Sequence, residues 1–109
     1  MNIVRSCWAA LVGLLMVAGQ GAKPDPVTQA WERGTAFFNE RRWDLAISAY
    51  TEAIRLNPRL ADAYRARGEA YYYQGDYAKA IADFTESIRV DPKDPRAYWW
   101  RGDAYYNRV

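Results

Sequence analysis

Between Ala63 and Tyr73, Tyr64, Gly68 and Tyr71 recur at spacings of four and three and so fall on one face of a stretch rich in Ala and aromatics and free of Pro. That is the period of an amphipathic helix rather than of a strand, so a helix is predicted over 63–73. Gly75-Asp76 interrupts it, because Gly suits the left-handed residue that closes a helix and Asp the residue that opens the next. A second helix is predicted over 77–90, with Ala80, Ile81, Phe84 and Ile88 on its apolar face, and Asp91-Pro92 stops it. Upstream, Trp43, Ala46, Ile47, Tyr50 and Ile54 draw the same apolar face and Asn57-Pro58 the same stop. One position breaks the parallel. Arg41 stands where the downstream hairpin has Gly75, so either this turn takes another path or Arg41 sits at positive φ at modest cost.

The parallel is a true internal repeat. Gly34, Gly68 and Gly102 lie 34 residues apart, as do Ala36, Ala70 and Ala104, and Phe37, Tyr71 and Tyr105. The same offset relates Ala46 to Ala80, Tyr50 to Phe84 and Pro58 to Pro92. Residues 27–60 and 61–94 share ten identities in 34 positions, and residues 61–75 and 95–109 share seven in fifteen. Small residues at 34, 68 and 102 let the two helices of a hairpin approach closely, with Ala46 and Ala80 expected as the small surface opposite. The aromatics at 37, 71 and 105 are expected to fill the layer between hairpins.

A helix-turn-helix unit of this length, carrying aromatic, Gly, aromatic, Ala, aromatic, Ala or Ser, and Pro in that order, resembles the tetratricopeptide repeat. The resemblance implies an all-α, right-handed α-solenoid of antiparallel hairpins. Residues 23–26 form a linker, 27–60 and 61–94 two full repeats, and 95–109 the first helix of an incomplete third. The chain departs from the family pattern where the Leu before the Gly is replaced by Arg33, Arg67 and Arg101. It departs again where the early Trp is Tyr64 and Tyr98. The first unit has Ala30 there with Trp31 alongside, which leaves open a different packing or rotation of its first helix.

In that family the first helices line a concave groove that holds segments of partner proteins, so the resemblance implies a protein or peptide partner. Carried over position by position, the groove residues are Trp31, Thr35 and Phe38 of the first unit, Arg65, Glu69 and Tyr72 of the second, and Trp99, Asp103 and Tyr106 of the third. Such a surface, aromatic with mixed charge, suits extended or helical apolar segments, since Trp and Tyr offer much contact area for little ordering entropy. The other reading is that these rings pack on one another or on residues 23–27. Chaperone-binding members of the family grip a C-terminal carboxylate with Lys or Arg and Asn in the first unit and cations in the third. Trp31, Thr35, Trp99 and Asp103 hold those places here, so the resemblance does not extend to chaperone tails.

Composition removes most chemistry. The chain contains no His, which excludes imidazole-activated nucleophiles and imidazole metal sites. Its lone Cys7 can close no intramolecular disulfide. No catalytic residue, metal or cofactor is expected, and the protein is read as a non-enzyme. A net charge of +2, with the cations unclustered, gives no pull toward nucleic acid or anionic lipid. Glu69 with Asp76, and Asp91 with Asp94, read as capping and solvation rather than as acid–base pairs. The periodic Arg33, Arg67 and Arg101 read as stem packing with surface ion pairs rather than as an anion ladder.

The two ends carry the remaining expectations. Residues 1–22 place one cation before an apolar run and small residues, the layout of a secretory signal. Their charge-free stretch of 17 residues also sits at the lower edge of a membrane span. Cleavage gives an exported protein, periplasmic or extracellular; retention gives a membrane-anchored adaptor with extracytoplasmic repeats, and only then is the membrane a partner. At the other end the array stops within a third unit, where Tyr98, Tyr105 and Trp99 or Trp100 are expected to form an uncapped face open to self-association or to a partner chain. A fragment of a longer repeat protein, serving an enzyme as a recognition arm, is the remaining alternative.

Overall fold

The computed structural model describes residues 23–108, so the signal or anchor reading of 1–22, with Cys7, lies outside the described residues. Five helices follow one another: α1 Pro26–Asn39, α2 Trp43–Leu56, α3 Ala61–Tyr73, α4 Tyr77–Val90 and α5 Pro95–Arg108. There are no strands among the described residues. Each helix packs chiefly on its neighbours in sequence, and α3 also touches α5. The result is the expected all-α solenoid of two hairpins plus one helix, with α1, α3 and α5 as the first helices of successive units.

Local chemistry explains the boundaries. Asp25 accepts a 2.8 Å hydrogen bond from the Thr28 amide, and Pro26 occupies the first turn, where its missing N–H costs nothing. α4 spans the predicted residues, while α3 begins at Ala61, two residues before its predicted start, with no side-chain cap from Leu60.

The two hairpin turns prove to be the same turn. Arg41 N donates to Phe38 O and Arg42 N to Phe37 O, both at 2.9 Å; in the second hairpin Gly75 N donates to Tyr72 O at 2.9 Å and Asp76 N to Tyr71 O at 3.0 Å. This paired closure is the Schellman motif, which requires a left-handed residue. Gly75 supplies it at φ 84° and Arg41 at φ 60°, where a side chain costs about 1 kcal/mol. Asp76 then caps α4 by accepting from Lys79 N at 3.2 Å, whereas Arg42 gives α2 no side-chain cap.

Hydrogen bonds keep the repeat's period too. Asn57 Oδ1 accepts from Arg59 N and Asp91 Oδ1 from Lys93 N, each at 3.1 Å. Beside them Tyr64 Oη donates to Pro58 O and Tyr98 Oη to Pro92 O, again at 3.1 Å. The Tyr that stands at the family's Trp position therefore ties its helix to the loop that precedes it.

The core is built largely from Ala: Ala30, Ala46, Ala53, Ala63, Ala70, Ala80, Ala97 and Ala104 are fully buried. Rings fill what those small residues leave, and they meet the glycines directly. A Cβ on Gly34 would lie 2.5 Å from Tyr50 Cε1, and one on Gly68 2.7 Å from Phe84 Cε1. The atoms nearest the glycines belong to Tyr50 and Phe84, one turn beyond Ala46 and Ala80. Those alanines share buried clusters with the two rings and with Ala70 and Ala104 of the following helices. Phe37 and Tyr71 pack against these clusters as expected, while Tyr105 stays half exposed.

Arg67, one of the residues that replaces the family's Leu, reaches from α3 to both neighbouring helices. It donates from Nε and Nη2 to the two carboxylate oxygens of Asp83, each at 2.7 Å, and from Nη1 to Thr51 Oγ1 at 3.2 Å. Burial pushes the Asp83 carboxyl up while Arg67 pulls it down, and the same hydrogen bonds hold Arg67 above its ordinary value. The pair is a bidentate bridge inside the second hairpin.

Candidate functional site

Trp31, Thr35 and Phe38 project from α1. Trp31 is half-buried, its ring 5.3 Å from that of Tyr50. With Val27, Thr28, Leu60 and Asp62 it lines a hollow of about 220 Å³. Thr35 Oγ1 lies 3.2 Å from Tyr50 Oη, and burial pushes that phenol up from its ordinary value. Phe38 packs edge-on against Trp43 at 5.1 Å and Tyr73 at 5.9 Å, and Trp43 stacks on Tyr73 at 4.9 Å. These rings, with Asn39 and Arg41, form a second hollow of about 310 Å³.

The middle of the site is ionic. The Arg65 side chain, 13% exposed, lies 2.6 Å from Glu69, 3.4 Å from Asp62 and 3.4 Å from Asp94. One guanidinium thus serves three carboxylates. Burial pushes the Glu69 carboxyl up, against the pull of Arg65. Arg96 bridges Asp94 at 3.0 Å and Asp62 at 3.8 Å, and its hydrogen bond draws the Asp94 carboxyl down. Asp94 also accepts from the Arg96 amide at 3.0 Å, which makes it the cap of α5.

On α5 the predicted residues divide. Asp103 accepts a short hydrogen bond from Tyr72 Oη, and Asn107 Nδ2 donates to the same phenol oxygen at 3.1 Å. The bond to Asp103 pushes the Tyr72 phenol up to about 12, since ionisation would set two negative charges together. Trp99 and Tyr106, by contrast, are 64% and 81% exposed.

The structure therefore brings Arg65 and Glu69 together, joins Tyr72 to Asp103, and seats Trp31, Thr35 and Phe38 on other aromatic side chains. The predicted aromatics of α1 and α3 pack on other rings, and Trp99 and Tyr106 of α5 are exposed. Sequence reasoning missed the ring that links them. Trp100, at the place of Ala66 one repeat earlier, lies 5.2 Å from Tyr72, 5.9 Å from Tyr73, 6.2 Å from Phe84 and 5.1 Å from Trp99. The substitution of a large ring for a small residue across the repeat is the signal that could have found it. Asp62 and Asp94 were also missed as partners of Arg65, and Arg96 as the second cation on both, although Asp62 and Arg96 stand at the same repeat position.

Stacked hairpins with a polar and aromatic surface along their first helices define the class: a helical-repeat scaffold. A TPR repeat model matches residues 34–75 and 68–108, and the chain belongs to the tetratricopeptide repeat family. No curated protein matches the sequence. Among solved structures the chain is similar to the TPR2B domain of yeast Sti1 in complex with an Hsp70 peptide, at 31% identity and TM-score 0.74, covering 76% of this chain and 66% of that one. It is similar to the Arabidopsis OM64 TPR domain at 32% identity and TM-score 0.76, covering 78% and 70%. It is also similar to the first TPR of Spaghetti (RPAP3) bound to the HSP90 peptide SRMEEVD, at 25% identity and TM-score 0.73, covering 74% and 64%. The chain thus spans about two thirds of the length of these structures.

Proposed function

We propose that this protein is an exported scaffold that holds a partner segment in the surface formed by α1, α3 and α5. The fold shared with peptide-binding repeats supports a protein or peptide ligand, and the charges of the site narrow its chemistry. Three carboxylates (Asp62, Glu69 and Asp94) meet two guanidinium groups, Arg65 and Arg96 are both already paired, and a fourth carboxylate, Asp103, pairs with no cation among the described residues. The pairing of Arg65 with three carboxylates is the observation that carries the reading, although its buried Nε makes no hydrogen bond. An acidic tail would find no uncommitted cation among these residues and would meet an excess of carboxylate. A segment with cationic and aromatic side chains finds a carboxylate at Asp103 and rings at Trp31 and Trp99. Binding is reversible docking without chemistry. The apolar run in residues 1–22 supports export, and N-terminal sequencing of the soluble extracytoplasmic fraction tests it: a start near Gln20 or Ala22 is expected, and an intact Met1 in the membrane fraction overturns it.

Titration of the full chain with two peptides, followed by calorimetry, tests the ligand chemistry. A peptide alternating Arg with Trp or Tyr should bind, weaken as salt rises, and weaken at least threefold with Trp31→Ala or Trp99→Ala. The acidic peptide SRMEEVD should not bind. Binding of the acidic peptide in preference to the basic one overturns the proposal.

A further inference from the structure

The two hairpin turns share one backbone closure and differ in chemistry. At the left-handed position the second turn has Gly75, and the first has Arg41 at φ 60°. One residue on, the second turn has Asp76, which caps α4, and the first has Arg42, which gives α2 no side-chain cap. A side chain at Arg41 costs backbone strain that Gly would avoid, and strain of this kind gathers at ligand sites. Arg41 borders the hollow of about 310 Å³ whose other walls are Phe38, Asn39, Trp43 and Tyr73, a size at the low end for small-ligand sites. Its apolar wall is three rings, Trp43 stacked on Tyr73 at 4.9 Å and Phe38 edge-on to both, and Tyr73 is 50% exposed. Its polar groups are Arg41 and Asn39, and no hydrogen bond or ion pair among the described residues engages either side chain. No carboxylate lines this hollow. Of the nearest acids in sequence, Glu40 pairs with Arg42 at 3.5 Å, and Asp44, which lines the adjoining hollow, accepts from Gln74.

We propose that this hollow binds a small aromatic carboxylic acid. The ligand's ring lies against the half-exposed Tyr73 and its neighbouring rings, and its carboxylate takes the Arg41 fork with the Asn39 amide as a second donor. A single guanidinium matches a singly charged carboxylate better than a phosphate, which carries nearly two charges. An amine on the same ring meets Arg41 as a like charge, so the site selects by sign as well as by shape. The second turn offers no such site, because Gly75 and Asp76 stand where Arg41 and Arg42 stand. Contact with the acid gives Arg41 a role that Gly, the less strained residue there, cannot fill. The hollow shares none of Asp103, Trp31 and Trp99 with the surface proposed for the cationic segment, and the two proposals fail independently.

The probes are indole-3-propionate, tryptamine, which carries the same ring on an amine, and the peptide Gly-Gly-Ser-Trp with a free C-terminus. Each is titrated into the ¹⁵N-labelled full chain while the indole N–H of Trp43 and the side-chain amide of Asn39 are followed. Indole-3-propionate should shift both resonances saturably, and tryptamine should shift neither. Arg41→Gly should weaken the acid at least tenfold while raising the urea midpoint, a split that a merely structural residue does not give. Arg41→Lys keeps the charge without the fork and should fall between wild type and Arg41→Gly. Tyr73→Ala should weaken binding at least threefold. Arg41→Gly should leave binding of the Arg-aromatic peptide as in wild type. Absence of a saturable shift at millimolar acid, binding of tryptamine as tight as that of the acid, or binding unchanged by Arg41→Gly overturns the proposal. A peptide held at least tenfold more tightly than the free acid would make a polypeptide C-terminus the occupant and equally overturns it.

Discussion

α3 and α5 present nearly the same residues and live in different surroundings. Ala63 and Ala97, Tyr64 and Tyr98, Arg67 and Arg101, Gly68 and Gly102, Ala70 and Ala104, Tyr71 and Tyr105, and Tyr72 and Tyr106 correspond one for one. Around α3 these groups are pressed between α2 and α4; around α5 only the side toward α4 is covered among the described residues. Identical side chains therefore have unequal energetic weight. The comparison teaches that in a repeat fold a residue's role is set by the neighbouring unit as much as by its own helix.

The sharpest way to break this comparison is a pair of glycine substitutions. Gly68→Leu drives a side chain into the Phe84 ring, already 2.7 Å from a Cβ, and should cost about 3 kcal/mol through overpacking. Gly102→Leu should stay within about 0.5 kcal/mol of wild type, as surface changes do. Urea unfolding of both variants checks the pair, and equal losses would dissolve the distinction.

A second pair acts on charge. Arg67→Ala leaves the Asp83 carboxylate, only 5% exposed, without its partner, and should cost about 2–3 kcal/mol. Arg101→Ala, with no acid to strand, should cost no more than about 0.5 kcal/mol. Adding Asp83→Ala to Arg67→Ala should recover part of the loss, which a double-mutant cycle in urea measures.

Smaller effects sharpen the contrast between the two turns. Arg41→Gly should raise stability by up to about 1 kcal/mol, because φ at this residue is 60° and Gly carries no penalty there. Gly75→Ala, at φ 84°, should lower it by a similar amount, about 1 kcal/mol. Thermal unfolding monitored by circular dichroism orders the two variants about wild type.

The gentlest test concerns Tyr72, whose phenol is pushed up from 10.0 to about 12 by Asp103. A folded-state value above the unfolded one means that the associated stability is full below pH 10 and is lost as pH rises through about 12. Tyrosine ring ¹³C resonances should show Tyr72 titrating at about 12, and Asp103→Asn should return it toward 10.0.

Much of the fold could be read from the chain because the repeat exposes itself three times over. Gly34, Gly68 and Gly102 fixed the register, and Pro58 and Pro92 the unit ends. Period alone does not say which residue faces a glycine across a hairpin. Ala46 and Ala80 keep the period as faithfully as Tyr50 and Phe84, yet the rings are what lie there. Features that do not repeat were harder to see. Asp83 corresponds to Ala49 in the first unit, so a search for period passes over the Arg67 bridge. The Arg65 cluster joins residues of α3 to the cap and first turn of α5, and such a meeting depends on how units stack. Among the site residues Trp31, Phe38 and Tyr72 were readable as aromatic positions. Their seating on Tyr50, Trp43 and Trp100 required the neighbouring helices.

Amide hydrogen exchange along α3 and α5 of the full chain tests the central claim, that matching residues carry unequal energetic weight on the two helices, most directly. Amides of α3 should exchange only through global unfolding, with protection equal to the stability measured in urea. Those of α5 should exchange at least tenfold faster through local opening. Equal protection of α3 and α5 in the peptide-free protein would contradict the account.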